Sequence, residues 1–346
     1  MIWIRADANR DIGAGHIMRC LSVAKALQDM GEEVLFLVAD EASGKLLAER
    51  DQAYRVLHSP YRELERELPT LLSLLQTERP KLFLLDSYFV TKEYLKQVGS
   101  QVKTAYLDDC GMLPYPVDIL VNYNIYGDQI DYRSMFADDG SDKEMQLLFG
   151  PSYAPLRPEF SQASYTVRDR VENVLVTTGG SDQYNLAGRF LDCALADDAV
   201  RGLHYHVVSG AFNPHISKLI HMSEKYKNIH IHQNVKNMAA LMQDCDLAIS
   251  AGGSTLYELC AIGVPFLCFS FVSNQEQIVQ SFFEQGITCY GGNYKEAKES
   301  LFQELTEQLV KLVSDPQLRL AQSERQRKLV DARGAARLAG KLLSQV

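Results

Sequence analysis

The sequence predicts an α/β protein of two doubly wound domains, each a parallel sheet covered by helices on both faces. Three observations carry that expectation. Apolar runs of strand length alternate with amphipathic helical patterns along nearly the whole chain. The alternation pauses once, where GPSYAPLRPEFSQASYTVRDR (150–170) sets three prolines among mixed polar residues. Several strand runs also end in glycine turns from which a helical pattern starts at once. At 346 residues the chain suits two cores of about 150 residues each.

The elements follow in order. Continuous apolar strands are expected at 1–6, 33–40, 81–87, 103–109 and 118–124. Helical patterns lie between them at 16–30 and 61–76, the second with Pro69 placed to interrupt it. These make a first domain over 1–155, and a linker is expected over 156–172. Strand runs resume at 173–180, 202–210, 228–235, 246–253 and 265–271, separated by helices that include 185–196 and 254–263. From Lys295 onward the chain reads as helical. The second domain is expected over 173–330, with a closing helix over 331–346 able to pack back toward the first domain. Two such sheets are expected to face a central cleft, since ligands of open α/β sheets bind beyond the carboxyl ends of the strands.

Composition narrows the function classes. A net charge of −9 lacks the basic footprint of a non-specific nucleic-acid binder. It leaves room for a small anionic ligand held by backbone amides. Seven cysteines without a CxxC pair fit a reducing compartment. The opening MIWIRAD reads as a strand rather than a targeting segment, and no apolar run approaches the ~20 residues of a membrane span. The expectation is a cytoplasmic protein without membrane insertion.

In the second half, ISAGGSTLYELCAIGVPFLCFSFVSNQEQ (249–277) runs from a strand into Gly252 and Gly253, then opens a helix with Ser254 and Thr255. Glycines permit close backbone approach, and amides at a helix start favour phosphate oxygens. Glu258, one turn in, only accepts hydrogen bonds when ionised, so it suits a ribose diol. The competing reading is a capping box that merely stabilises the helix. TTGGSDQYN (177–185) supplies a second glycine turn with Gly179, Gly180 and Ser181, against the alternative that Ser181 or Asp182 is simply an N-cap.

In the first half, IGAGHIMRC (12–20) puts His16 at a helix start behind Gly13 and Gly15. The helix field there disfavours a cation, so a neutral imidazole able to accept a proton is expected. Asp7, Arg19, Asp86 and Tyr88 lie at or near strand ends of the same half as candidate substrate-binding groups. Asp7 and Asp86 can instead be caps, and Arg19 a surface ion pair. His204/His206 and His230/His232 are two pairs on strand faces that can in principle share a metal. Polar residues on a strand face are the favoured reading, and no metal or other cofactor is expected to be required.

These segments resemble the glycosyltransferase-B superfamily, which implies two Rossmann-like domains with a UDP-sugar bound mainly by the carboxyl one. AGGSTLYE is similar to the glutamate-bearing segment of the bacterial lipid-linked N-acetylglucosaminyl transferases. That likeness implies ribose recognition by Glu258, uracil pairing near Val235 in NVKNMAALM (234–242), and sugar or diphosphate contacts by Asn274 and Gln275. RADANRDIGAGHIMRCLSVAKAL (5–27) resembles more narrowly the UDP-2,4-diacetamido-2,4,6-trideoxy-β-L-altropyranose hydrolases of pseudaminic acid biosynthesis. LLDSY (84–88), YLDD (106–109), FGPSYAPLRPEF (149–160) and DARGAARLAG (331–340) extend that likeness, with Ala332 where the family has glycine. It implies a small-molecule nucleotide sugar as partner, His16 as general base, water as nucleophile and inversion at C1. The alternatives are a glycosyltransferase with a UDP-HexNAc-type donor for surface polysaccharide or spore coat, a UDP-N-acetylglucosamine epimerase, and a binding protein without turnover.

Overall fold

A computed structural model describes every residue except 10, 113–114, 138–144 and 211, and omits the side chains of 136–137. The chain forms two compact units: Met1–Arg157 with Arg333–Val346, and Pro158–Ala332. The first unit holds β1 (Ile2–Ala6), β2 (Val34–Val38), β3 (Tyr54–Val56), β4 (Leu82–Asp86), β5 (Thr104–Leu107), β6 (Ile119–Asn122) and β7 (Gln146–Phe149). The second holds β8 (Asn173–Thr177), β9 (His204–Ser209), β10 (Ile229–Gln233), β11 (Leu247–Ala251), β12 (Phe266–Ser270) and β13 (Cys289–Asn293).

Both sheets are parallel throughout. Their orders are β3-β2-β1-β4-β5-β6-β7 and β10-β9-β8-β11-β12-β13. In each, the order reverses between the first strand and the fourth, and the loops leaving those two strands open onto the crevice where such sheets bind ligands. β1 pairs with β4 through Ala6↔Asp86, and β8 pairs with β11 through Thr177↔Ser250. Motifs 70 residues or more apart in sequence thus become neighbours.

The central strands are apolar on both faces because helices cover both. Ile2, Ile4 and Ala6 of β1 pack with Ile17, Cys20 and Val23 of the helix Gly15–Asp29. Trp3 packs on the other side with Leu71, Phe83 and Tyr94. In the second unit, Val174, Val176, Leu247 and Ile249 join Phe190, Leu305 and Leu309. The closing helix Gly334–Leu343 belongs to the first unit, where Leu338, Ala339 and Leu342 share the core of Ile17 and Leu27.

Three strands differ from the sequence expectation. β3, β7 and β13 are edge strands of three, four and five residues with mixed composition (YRV, QLLF, CYGGN), and an edge strand pairs on one side only. Pro69 does not break a helix but stands in the first turn of Leu68–Glu78, where its missing N–H costs nothing. The stretch 158–172 packs within the second unit: the Tyr165 hydroxyl donates to the Asp246 carbonyl at 3.1 Å, and the Arg168 guanidinium donates to the Asp246 carboxylate at 2.7 Å.

Ala332 has φ +57°, a left-handed conformation that a Cβ disfavours by about 1–2 kcal/mol. Ala332→Gly is therefore expected to raise the melting temperature by a few degrees, about 1 kcal/mol of stability. An unchanged or lower value in a calorimetric scan would refute this.

Candidate active site

The first unit builds a polar constellation at the carboxyl ends of β1, β4, β5 and β6. After β1 the chain turns through a short bridge between Asn9 and Gly13, with Gly13 at φ +72°. The helix Gly15–Asp29 then starts without a side-chain cap. A Cβ on Gly13 or Gly15 would meet no other group, so this backbone is open to a ligand. His16 sits in the first turn, only 4% exposed.

Asp86, the last residue of β4, orients that imidazole. His16 Nδ1 lies 2.6 Å from Asp86 Oδ1. Arg19, one turn along the same helix, donates to both Asp86 oxygens, through Nε at 2.6 Å and Nη2 at 2.5 Å. Burial by itself would raise the Asp86 carboxyl pKa, but the Arg19 charge and then the His16 contact outweigh it and hold it below the usual carboxylate range. An ionised carboxylate can only accept, so Nδ1 carries a proton, and in the neutral imidazole Nε2 is the nitrogen that holds the lone pair. The result is an Asp–His pair of the kind that prepares a general base.

Arg19 also spans to the end of β5. Its Nη1 donates to Asp109 at 2.8 and 3.0 Å and to the Tyr123 hydroxyl at 3.0 Å. Asp109 further accepts from the Tyr88 hydroxyl at 3.0 Å and from Asn124 Nδ2 at 3.2 Å. Tyr88 sets its ring edge-on against His16, centroids 4.5 Å apart. Desolvation of its hydroxyl end and the Asp109 charge push that phenol well above its ordinary pKa, so it stays a donor.

Two of the expected substrate groups are engaged within the protein. Both Asp86 oxygens bond to His16 and Arg19. Asp7 Oδ2 accepts from buried Arg5 at 2.6 Å and Oδ1 from the Ala39 amide at 2.7 Å. Arg19 is no surface ion pair but a buried bridge. Asp109, Tyr123 and Asn124 escaped the sequence reading. Their signal was present in the polar endings YLDD and NYN on two successive strands.

In the second unit, β8 and β11 bring the two glycine turns together. Gly179, at φ +86°, and Gly180 are exposed. Asp182 accepts from the amides of Leu186 and Ala187 at 2.6 and 3.2 Å, so it caps the helix Leu186–Ala196 and Ser181 does not. The loop after β9 locks the first turn. A Cβ on Gly210 would lie 2.2 Å from the Gly180 carbonyl oxygen, and the Phe212 amide donates to that oxygen at 3.3 Å. Gly210 is a positioning residue that the sequence reading missed.

After β11, Ser254 precedes the helix Thr255–Ile262 and makes no side-chain capping bond. The capping-box alternative is not realised at that residue, and its exposed hydroxyl is not spent on a cap. Glu258 stands in the first turn, partly exposed. Gly252 is required by packing, since a Cβ there would lie 2.7 Å from Val279 Cγ1 and 3.0 Å from Gln275 Cβ. That contact brings the start of the helix Ser273–Glu284, with exposed Asn274, beside the glycine turn. Gln275 Oε1 accepts from the Phe271 amide at 3.1 Å. Val235 lies half-buried in the loop between β10 and the helix Met238–Asp244.

The four histidines on β9 and β10 form one cluster. Burial, then the neighbouring His230, His232 and His204, lower His206 to about 4, with Asp244 opposing, and burial likewise lowers His230 and His232. Unfolding returns His206 to its ordinary 6.5. Between these values the unfolded chain takes up a proton that the folded one refuses, so stability falls as pH drops from 6.5 toward 4. His206→Asn is expected to flatten that fall in melting scans from pH 7 to 5; an unaltered slope would refute the assignment.

Among the described residues no group of three or more His, Cys, Asp or Glu converges as a metal centre, and no helix is long and apolar enough to cross a membrane.

Comparison with known proteins places this geometry. Residues 173–338 match the glycosyltransferase family 28 C-terminal domain. The whole chain superposes on the crystal structure of Acinetobacter baumannii MurG with a TM-score of 0.68, covering 99% of both chains at 12% identity. The chain has the glycosyltransferase-B fold. It is 28% identical to the spore coat polysaccharide biosynthesis protein SpsG of Bacillus subtilis, over 97% of this chain and 96% of that one. It is 27% identical to the UDP-2,4-diacetamido-2,4,6-trideoxy-β-L-altropyranose hydrolase of Campylobacter jejuni, over 80% of this chain and 93% of that one. The two glycine turns belong to the second unit, which holds most of the family-model match, and the Asp86–His16 pair belongs to the first.

Proposed function

We propose that this chain hydrolyses UDP-2,4-diacetamido-2,4,6-trideoxy-β-L-altropyranose to UDP and the free sugar, with inversion at C1, as a step of pseudaminic acid biosynthesis. The observation that carries the reading is the 2.6 Å contact between His16 Nδ1 and ionised Asp86. It leaves Nε2 as a proton acceptor, which hydrolysis by water needs and a passive binding protein does not. The likeness to the Campylobacter hydrolase over most of its length supports the substrate class.

The roles then divide by unit. His16 takes a proton from water as the oxygen bonds to the anomeric carbon. The C1–O bond to the diphosphate breaks, its electron pair leaving with UDP. Backbone amides and hydroxyls at Gly179–Ser181 and Gly252–Thr255 receive that charge, and Glu258 accepts from the ribose. Val235, Asn274 and Gln275 complete the nucleotide contacts. Tyr88, Asn124 and the backbone of Gly13 and Gly15 present hydrogen-bonding groups to the sugar. No metal is assigned a role, and cytoplasmic placement accords with a soluble sugar nucleotide.

The second reading is transfer from a UDP-HexNAc-type donor to a sugar or lipid hydroxyl, favoured by the full-length likeness to SpsG. Proton NMR of the diacetamido-trideoxy-altrose nucleotide with the full chain separates them. Release of UDP and free sugar, with the α anomer appearing first, supports hydrolysis with inversion. Binding without release until an acceptor is added overturns it in favour of transfer.

A further inference from the structure

One side of β9 and β10 carries four imidazoles that the sugar-nucleotide chemistry does not use. His204 and His206 alternate with buried Tyr205 and Val207 on β9, and His230 and His232 alternate with Ile229 and Ile231 on β10, the edge strand. The register sets His206 opposite His230. His204 Nδ1 lies 3.0 Å from His230 Nε2, with ring planes within 8°. His206 Nδ1 lies 3.1 Å from His232 Nε2.

The tautomers of the second pair follow from its neighbour. His206 Nε2 lies 3.0 Å from Asn173 Oδ1. With an amide oxygen as partner Nε2 carries the proton, so Nδ1 is a bare acceptor and His232 Nε2–H donates to it. The second pair thus holds one proton between two nitrogens, and a neutral imidazole offers a lone pair suited to a borderline metal ion.

We propose that this ladder is a surface chelate for a divalent transition-metal ion of the Ni²⁺, Cu²⁺ or Zn²⁺ class, with His204 and His230 as its first two ligands and water as the rest. Imidazoles at ~2.0–2.1 Å from one ion stand about 2.9–3.4 Å apart as adjacent ligands, which matches the spacing already built into the strands. Binding needs only that the shared proton move to the far nitrogen of its ring and that the rings turn toward a common point. Among the described residues no group of three or more His, Cys, Asp or Glu converges as a metal centre, so this is an open chelate rather than a closed structural centre. Nitrogen donors select against Mg²⁺ and Ca²⁺, which require oxygen. His206 and His232 form a second, less exposed pair beside the first.

The test is titration of the full chain with NiCl2 by calorimetry at pH 7.5, followed in parallel by paramagnetic broadening of histidine ring signals. Ni²⁺ is chosen because Cu²⁺ would oxidise the free thiols. Expected are heat on Ni²⁺ addition, broadening first at His204 and His230, and about hundredfold weaker binding in His204→Gln/His230→Gln, as a rigid second ligand binds intramolecularly. His58→Gln/His221→Gln, on histidines elsewhere in the chain, is expected to leave the affinity unchanged. No heat with the wild type, or less than about tenfold weakening in the first variant, overturns the site. Neither readout depends on the sugar-nucleotide reaction.

Discussion

His16→Ala lowers kcat for hydrolysis of the UDP-sugar by about a thousandfold and leaves KM within a few fold, the share that a positioned general base contributes. The reason is the bond to Asp86. With its proton fixed on Nδ1 by a carboxylate that Arg19 keeps ionised, the imidazole presents only Nε2 to water. Asp86→Asn tests the same logic from behind, because an amide can donate as well as accept and no longer dictates the tautomer. Its loss is expected in kcat, with little change in UDP affinity, since the glycine turns belong to the other unit. Both variants are followed by NMR turnover and by fluorescence titration with UDP. His16→Ala turning over as fast as wild type would make the imidazole structural. Equal loss of UDP binding in either variant would point to a folding defect instead.

Arg19→Met lowers the melting temperature of the first unit by roughly 10 °C, about 3–5 kcal/mol. Arg19 is 9% exposed and is the cation between two carboxylates, Asp86 and Asp109. Methionine fills much of its volume but leaves both acids without their cation, Asp86 keeping only His16 and Asp109 only the neutral donors Tyr88 and Asn124. The pH dependence gives the mechanism away. In the wild type, Asp86 has a depressed pKa, so its contribution is present above the unfolded carboxylate value of 3.8 and is lost as pH falls through the folded one. Without Arg19 that depression is removed and the native carboxyl gains by protonation. The deficit is therefore largest at neutral pH and shrinks toward pH 5. A melting series from pH 8 to 5 checks it: a deficit independent of pH would mean lost packing, not unpaired charge.

Apart from β9 and β10, which alternate, the strands most legible in the sequence are those the fold buries on both faces. WIRA, LFLLD, NVLVT and LAISA are apolar runs because helices cover each side of β1, β4, β8 and β11, and burial writes itself into composition. The edge strands YRV, QLLF and CYGGN are half-covered and short, so their composition is nearly that of loops. Glycine turns were legible for a related reason. Gly13 and Gly179 have positive φ and Gly252 has no room for a Cβ, constraints that few other residues meet.

Roles were less legible than positions. Asp7 and Asp86 look alike in sequence, each an acid ending an apolar strand. Only the register Ala6↔Asp86 and the helix carrying both His16 and Arg19 decide that Asp86 orients the imidazole while Asp7 is consumed by Arg5 and Ala39. Asp182 and Ser254 divided likewise, one capping its helix and the other not. Asp109, Tyr123 and Asn124 entered the site because β5 and β6 add to the sheet beside β4.

The sequence by itself determined two parallel sheets, the glycine turns and the helix that starts at His16, since each depends on local conformation or on burial along one segment. The tertiary structure alone decided which carboxylate meets which cation and which histidines face each other. Those pairings depend on strand order and register, which bring together residues with no relation along the chain, and the proton positions that make the chemistry follow from them.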